Sequence, residues 1–238
     1  MHRVLPKNFF NRKTEIVAQE LLGKYLVRRY KGKEITGMIT EVEVYDGFKD
    51  KGSHASRGMT ERNKIMFGPA GYWYPYFTYG MHWMVNVVTR EKDYPAAILI
   101  RSIIVGNTDL YGLGDGFIQI NGPGRVTKFF KIDGKLYGKP AAKSSGLWIE
   151  DRPAHRISRG GKGGGAIVKK SRIKKSPRIG INYAGEYWKN KKWRYTLECI
   201  QNASKHHSDP PSAEKNPSTE KILRRFASQD DDKRENEG

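Results

Sequence analysis

GMITEVEVYD, residues 37–46, is the stretch on which the fold turns. Its apolar and polar residues alternate, the period of a β-strand with two unlike faces. Val42 and Val44 point one way, while Glu41, Glu43 and Tyr45 point the other. Acids and a tyrosine on one strand face do not make a core. They suit a strand that packs on one side and lines a cleft on the other.

Further strands surround this one in the chain. Tyr25 to Tyr30, residues 82–89 (HWMVNVVT), residues 95–102 (PAAILIRS) and Leu147 to Glu150 all read as strands. In 95–102, Ala97, Leu99 and Arg101 share a face. Residues 14–23 (TEIVAQELLG) read as a helix, because Val17 and Leu21, and Ala18 and Leu22, fall at i, i+4 spacing. Gly23 suits the stop, and Thr14 or Asn11 the N-cap. Residues 121–132 (NGPGRVTKFFKI) read as a Gly-Pro turn feeding a short helix, residues 47–71 as loop with little regular structure, and residues 178–199 as renewed strands and turns. Strands and helices interleave without βαβ regularity. The expected fold is therefore α+β: one mixed domain around a curved, largely antiparallel sheet with flanking helices. That domain is expected over residues 1–200. Residues 201–238, polar and rich in Pro, Ser, Asp and Lys, are expected to be a disordered tail.

Charge narrows the partner. The chain has 44 Lys and Arg against 25 Asp and Glu, for a formal +19. Residues 201–238 account for 7 and 8 of these, leaving 37 basic against 17 acidic residues in 1–200. An excess of this size suits a polyanion, because each neutralised phosphate releases condensed counterions. Nucleic acid ranks ahead of an anionic membrane, since no clear basic amphipathic helix is present. Residues 152–178 carry ten Lys or Arg, no acid and a GGKGGG tract at 160–165. They read as an exposed basic loop able to track phosphates, or as a merely solvated one. They are not a phosphate-binding P-loop, since GxxxxGK[ST] is absent. The single cysteine, Cys199, excludes an intrachain disulfide and a Cys-rich zinc site, and reads as packing. No apolar run approaches a membrane span, and the N-terminus lacks the apolar core of a secretion signal. An intracellular protein is expected.

Four features carry chemistry. Glu43, on the cleft-facing side of its strand, can hold and deprotonate a water. Tyr72 to Phe77 holds five aromatic residues in six, around Pro75. Tyr72, Tyr74 and Tyr76 would share a face there, with Tyr79 just beyond, and base stacking on such rings is worth ~1–3 kcal/mol per base. His54, in the loop GSHAS, can donate a hydrogen bond to a base edge. Arg101 ends an apolar strand and needs a partner, for which Glu43 or a phosphate would serve. Each alone has a plain structural reading: a solvated acid, core packing, an exposed histidine.

Their order is specific. ITEVEVYDG (39–47), HASRGMTERNKIMF (54–67), AGYWYPYFTYGMHWMVNVV (70–88) and ILIRS (98–102) resemble the alkyladenine (3-methyladenine) DNA glycosylase family. The similarity continues through GPGRVTK (122–128), LWIED (147–151) and RIGINYAGEYW (178–188), and FFNRKTEIVAQELLGKYLVRR (9–29) is similar to the family's opening helix and strand. The resemblance implies a base-excision repair enzyme. It would flip an alkylated or deaminated purine out of duplex DNA and hydrolyse its N-glycosidic bond, leaving an abasic site uncut.

It also implies roles. Glu43 would be the general base that activates water, with Arg101 beside it and the carbonyl of Ile179 as the water's third anchor. Tyr45 and Tyr76 would sandwich the flipped base, with His54 edge-on. Asn86 would guard the pocket floor against the 2-amino group of guanine. Tyr79 would wedge into the duplex, with Met81 near the intercalation site. No metal or cofactor is implied, the partner is double-stranded DNA carrying a damaged purine, and a monomer is expected, with DNA in the nucleoid or nucleus. Val44 departs from the family in replacing a smaller residue, and the resemblance assigns no role to the Gly-rich basic insertion near 158–170 or to the long tail. A catalytically inactive nucleic-acid-binding relative is the rival reading. A zinc deaminase is excluded by the absent HxE…PCxxC signature.

Overall fold

In the computed structural model the alternating stretch lies within one long strand, β3 (Lys33–Asp46), and the sheet is organised around it. The structure describes residues 2–106, 117–152 and 173–198. Most of the Gly-rich basic stretch, the polar tail and Cys199 lie outside them.

β3 changes neighbour along one edge. Lys33 to Met38 pair with β2 (Tyr25–Tyr30), and Glu41 to Glu43 pair with β10 (Arg194–Leu197). Its other edge pairs with β6 (Ala96–Gly106) from Met38 to Asp46. β6 forks in turn, to β5 (His82–Val88) through Ala97–Leu99 and to β7 (Phe117–Asn121) through Ser102–Gly106. Strands that change partner midway cannot hold a flat sheet. This sheet is strongly curled, and with few helices the fold is α+β. β1 (Arg3–Val4) and β8 (Leu147–Asp151) extend it beyond β2, β4 (Trp73–Thr78) forms a hairpin with β5, and β9 (Ile173–Ser176) lies beside β10; every pairing is antiparallel. Among the described residues no helix is long and apolar enough to cross a membrane.

The register between β3 and β6 slips by one residue and recovers. Ile39 faces Ile103, Glu41 faces Ser102, and Val42 faces Ile100. Thr40 on β3 and Arg101 on β6 are thus left without an opposite residue. Irregularities of this kind bend a strand and re-aim a side chain. Here the freed side chain is Arg101.

Val42 and Val44 are fully buried, as their alternation requires, opposite Ile100 and Ile98 of β6. α1 (Lys7–Phe10) leads into α2 (Thr14–Leu21), which buries Val17, Ala18 and Leu21. The expected cap is not formed: Lys13 occupies the N-cap without a side-chain bond, and Asn11 belongs to the end of α1. The Thr14 hydroxyl donates instead to Asp46 Oδ1 at 2.7 Å, tying α2 to the far end of β3. α3 (Pro123–Phe129) begins with the proline of the Gly-Pro turn, and α4 (Glu186–Asn190) precedes β10. Two other expectations need correction. β6 continues four residues past 102, since Ile103, Ile104 and Val105 prolong its apolar run. The end of the stretch read as basic loop is strand β9, because Ile173 to Ser176 complete the edge of β10.

Leu26, without exposed surface, lies on the strand between β3 and β8. Leu26→Ala is expected to lower unfolding free energy by ~2–5 kcal/mol, as buried leucine truncations do. A urea midpoint unchanged from the wild type would contradict this core assignment.

Candidate active site

A cavity of about 460 Å³ opens beside the acidic face of β3, with Tyr45, Arg101 and Ile179 among its lining residues. Behind these three lies Glu43, which has no exposed surface. Its carboxylate accepts from all of them: Oε1 from the Ile179 peptide N–H at 2.7 Å, Oε2 from the Tyr45 hydroxyl at 3.0 Å and from Arg101 Nη1 at 3.2 Å. Burial disfavours the charge and pushes the Glu43 carboxyl above its ordinary pKa, against the opposing pull of Arg101, the Ile179 N–H and the Tyr45 hydroxyl. The Tyr45 phenol is pushed up in turn, by burial and by the adjacent carboxylate, so it stays a donor.

The aromatic block supplies another wall. Tyr74 and Tyr76 line the cavity with ring centroids 5.4 Å apart. Tyr72 is not among the lining residues: β4 begins at Trp73, and Tyr72 sits in an isolated bridge with Pro140. His54 meets the Tyr76 ring edge-on at 4.6 Å, and its Nδ1 lies 2.8 Å from the Tyr74 hydroxyl. Packing of the ring, with the Arg62 guanidinium nearby, pushes the His54 pKa down to about 4. The imidazole is neutral at physiological pH. Arg62 also lies over Tyr76, 5.3 Å from the ring centre, and donates to the Phe77 carbonyl. Asn86 faces Tyr74 across the hairpin and donates its amide to the Tyr74 carbonyl at 3.1 Å.

The β4–β5 hairpin ends at the mouth. Tyr79 and Gly80 both have positive φ, 52° and 65°, and the Met81 N–H closes the turn on the Thr78 carbonyl. Thr78 pairs with His82, so three residues connect the strands, and the first two take the left-handed backbone. For a tyrosine that backbone carries strain of ~1–2 kcal/mol. The turn projects Tyr79 and Met81 outward, 80% and 67% exposed. Tyr79 also lines the cavity, whereas Met81 does not.

Glu43, Arg101, Tyr45 and Ile179 thus form one hydrogen-bonded cluster, and Tyr76, His54, Asn86 and Tyr79 border the same cavity. Ile179 bonds Glu43 through its N–H, a contact that sequence reasoning did not anticipate. Arg178 and Asp50 were also missed. Both are fully buried, and Asp50 accepts two bonds from the guanidinium at 2.6 and 2.7 Å. Arg178 also donates to the Val44 carbonyl at 2.8 Å and lies 4.8 Å behind the Tyr45 ring. In the sequence Arg178 is the last of ten basic residues, and Asp50 sits between lysines in a loop. Only coordinates distinguish them from solvated charge. Among the described residues no group of three or more His, Cys, Asp or Glu is placed to hold a metal ion.

Asp50→Asn would leave the Arg178 charge buried without its counter-ion. A loss of ~3–5 kcal/mol of stability is expected, as for other broken buried pairs. Denaturant unfolding measures it; a loss below 1 kcal/mol would show that the pair is not a structural anchor.

Comparison with known proteins places this geometry. Residues 8–200 match the family model described as Methylpurine-DNA glycosylase (MPG). The chain is 40% identical over 189 residues to a protein of Methanocella arvoryzae, covering 77% of this chain and 87% of that relative. It is 37% identical over 196 residues to one of Legionella pneumophila (strain Corby), covering 82% and 95%. A protein of Rickettsia rickettsii (strain Sheila Smith) is 45% identical over 130 residues, covering 54% and 64%. All three are named provisionally as 3-methyladenine DNA glycosylases. The match spans β3, both hairpin strands, β6 and the Ile179 segment, and on it the chain belongs to the methylpurine-DNA glycosylase family.

Proposed function

We propose that the chain is a monofunctional DNA glycosylase that draws a damaged purine from duplex DNA into the cavity and hydrolyses its bond to the sugar. The observation that carries this reading is Glu43: a buried carboxylate held by three donors behind an aromatic-walled cavity. Such a group is costly to build and has no evident structural use. The family match and the +19 charge support the DNA partner.

Binding begins on the phosphate backbone, without sequence preference. Tyr79, already presented at the hairpin tip, enters the duplex, and the target nucleotide swings out. Tyr45 and Tyr76 stack on the extruded base. If the Tyr74 hydroxyl donates to His54 Nδ1, the neutral ring carries its proton on Nε2, which donates to an acceptor on the purine edge. Asn86 limits what fits at the floor. N3- or N7-methylation makes the purine cationic, which strengthens stacking by ~0.5–2 kcal/mol and improves the leaving group. The glycosidic electron pair leaves with the base through an oxocarbenium-like state. Ionised Glu43 stabilises that charge, and a water adds to the sugar carbon as its proton passes to Glu43.

The oxygens divide the task. A carboxylate offers about four acceptor positions. Oε2 holds Tyr45 and Arg101, whereas among the described residues Oε1 holds only the Ile179 N–H. The water belongs at Oε1, reached once one of the covering groups gives way by an atom's width. Arg101 and the Ile179 peptide hold it in line.

Glu43→Gln is expected to reduce release of 3-methyladenine or hypoxanthine from a single-lesion duplex by at least ~10³-fold, since general-base contributions reach 10²–10⁴ and charge stabilisation adds to them. Duplex affinity should persist. Undiminished turnover would eliminate the assignment and favour another base. Only ionised Glu43 works, and its pKa is raised, so the rate should fall on acidification through a midpoint above the ordinary carboxylate value. A plateau down to pH 4 would contradict it. Tyr79→Ser should weaken base extrusion, read by 2-aminopurine fluorescence, more than backbone binding; equal losses would remove the wedge role.

A further inference from the structure

Arg101 is shared between two carboxylates. Nη1 reaches Glu43 Oε2, and Nε reaches Glu41 Oε1, both at 3.2 Å. Glu41 is two residues from Glu43 on the same face of β3, and it does not line the cavity. It is itself firmly held: Ser102 Oγ donates to its Oε2 at 3.0 Å, and Arg194 Nη1 to its Oε1 at 3.2 Å. Arg194 donates in addition to the Pro177 carbonyl, two residues before the Ile179 N–H that binds Glu43. Glu41 therefore bonds one arm of the Glu43 cage, Arg101, directly and reaches the other through Arg194 and the Pro177 carbonyl.

The guanidinium fork explains why this matters. An arginine facing one carboxylate tends to close on it with two parallel N–H bonds, one to each oxygen. On Glu43 that closure would occupy Oε1. Here Nε is bonded to Glu41, which fixes the tilt of the guanidinium, and Nη1 bonds Glu43 on Oε2. The register slip that leaves Arg101 unpaired on β6 sets it level with both acids.

We propose that Glu41 is a positioning residue: by holding Nε of Arg101 it confines that guanidinium to one oxygen of Glu43 and leaves the other to the Ile179 N–H and the attacking water. The inference rests on the proposed glycosylase reading and adds a residue to it. It carries an electrostatic consequence. The charged and titratable groups facing Glu43 are Arg101 from β6, Tyr45 and Glu41 from β3, Tyr76 from β4, Arg194 from β10 and Arg178 beside Ile179. Removing the Glu41 charge takes away a like charge and frees Arg101 to pair wholly with Glu43. Both changes favour ionised Glu43, so its titration moves to lower pH.

The test compares the wild type with Glu41→Gln and Glu41→Ala on a single-lesion duplex. Single-turnover base release, duplex affinity and melting temperature are measured, with the pH profile. The expected result is a rate lowered ~10- to 100-fold, the scale of small misplacements in a reacting geometry. Affinity should be unchanged and the acid limb displaced to lower pH. Glu41→Asp, which keeps the charge, should restore the limb more than the rate. Folded variants with wild-type rate and an unmoved acid limb would overturn the proposal. So would a rate loss matched by equal loss of duplex affinity, which would mark a general structural role. Failure of the wild type itself to release any damaged base would instead overturn the glycosylase reading. A lowered Glu43 titration in the Glu41 variants, followed by carboxyl-carbon NMR, would still support the positioning claim.

Discussion

The buried ion pair between Asp50 and Arg178 is the constraint on which the site depends. Both residues are wholly removed from solvent, and the guanidinium is engaged from several directions. It holds Asp50 in the loop after β3, the Val44 carbonyl within β3, and the back faces of Tyr45 and Trp193. Asp50 also accepts from the Gly52 N–H at 3.0 Å and from the Asp46 N–H at 3.3 Å. A Cβ on Gly52 would stand 2.9 Å from Arg178 Nη2, so the loop approaches the pair as closely as a backbone can. Two residues on from Gly52 is His54, and the residue after Arg178 is Ile179. One ion pair thus sets the His54 loop, the Tyr45 ring and the Ile179 N–H relative to one another. Pairs of this kind add little net stability, because desolvation offsets attraction. Their yield is fixed geometry, which a cavity made from loops otherwise lacks.

Glu43 follows the opposite logic. Its charge is not neutralised outright but shared out among Arg101, the Tyr45 hydroxyl and the Ile179 N–H, and burial still pushes its pKa up. Full pairing would make it a poor base. Without partners it would simply be protonated at neutral pH. On the proposed reading, the division of Arg101 between Glu41 and Glu43 keeps the carboxylate between these limits, charged yet ready to take a proton. The sign of the linkage follows. Since the folded-state pKa lies above the unfolded one, the fold favours protonated Glu43, and this contribution is lost as pH rises through the folded pKa. At neutral pH the ionised acid costs stability, which the site bears for the sake of reactivity.

Much of this was legible in the chain. The alternation of 37–46 gave away a strand with one dry and one reactive face, and Val42, Val44, Glu43 and Tyr45 lie as that period requires. Periodicity records what a residue faces, not what lies across from it. That is why β7 and β9 went unread: short edge strands such as FIQIN and IKKS become strands through partners distant in sequence. The Thr14 cap failed for the same reason, since Asp46, distant in sequence, competes with the local amides. The register slip at Thr40 and Arg101 has no sequence signature at all, yet it aims Arg101. Asp50 and Arg178 are ordinary charges until the loop closes over them.

The resting site is dry at its centre, and that bears on how it discriminates. Glu43 has no exposed surface, whereas Tyr79 and Ile179 are well exposed. The carboxylate is thus sealed while Tyr79 and Ile179 stand free. A carboxylate kept from bulk water gains in basicity and loses the chance to act on whatever lodges in the cavity mouth. On the proposed reading, reaction requires an occupant whose contacts with Tyr45, Tyr76 and His54 displace the cover over Oε1. His54 is neutral, with its pKa held down to about 4, so it adds no third cation to a cavity that already holds Arg101 and Arg62. A protonated His54 would repel a cationic alkylated purine and compete for the charge of Glu43. On the proposed reading, a neutral imidazole leaves Glu43 as the dominant field at the sugar, where positive charge would develop as the bond breaks.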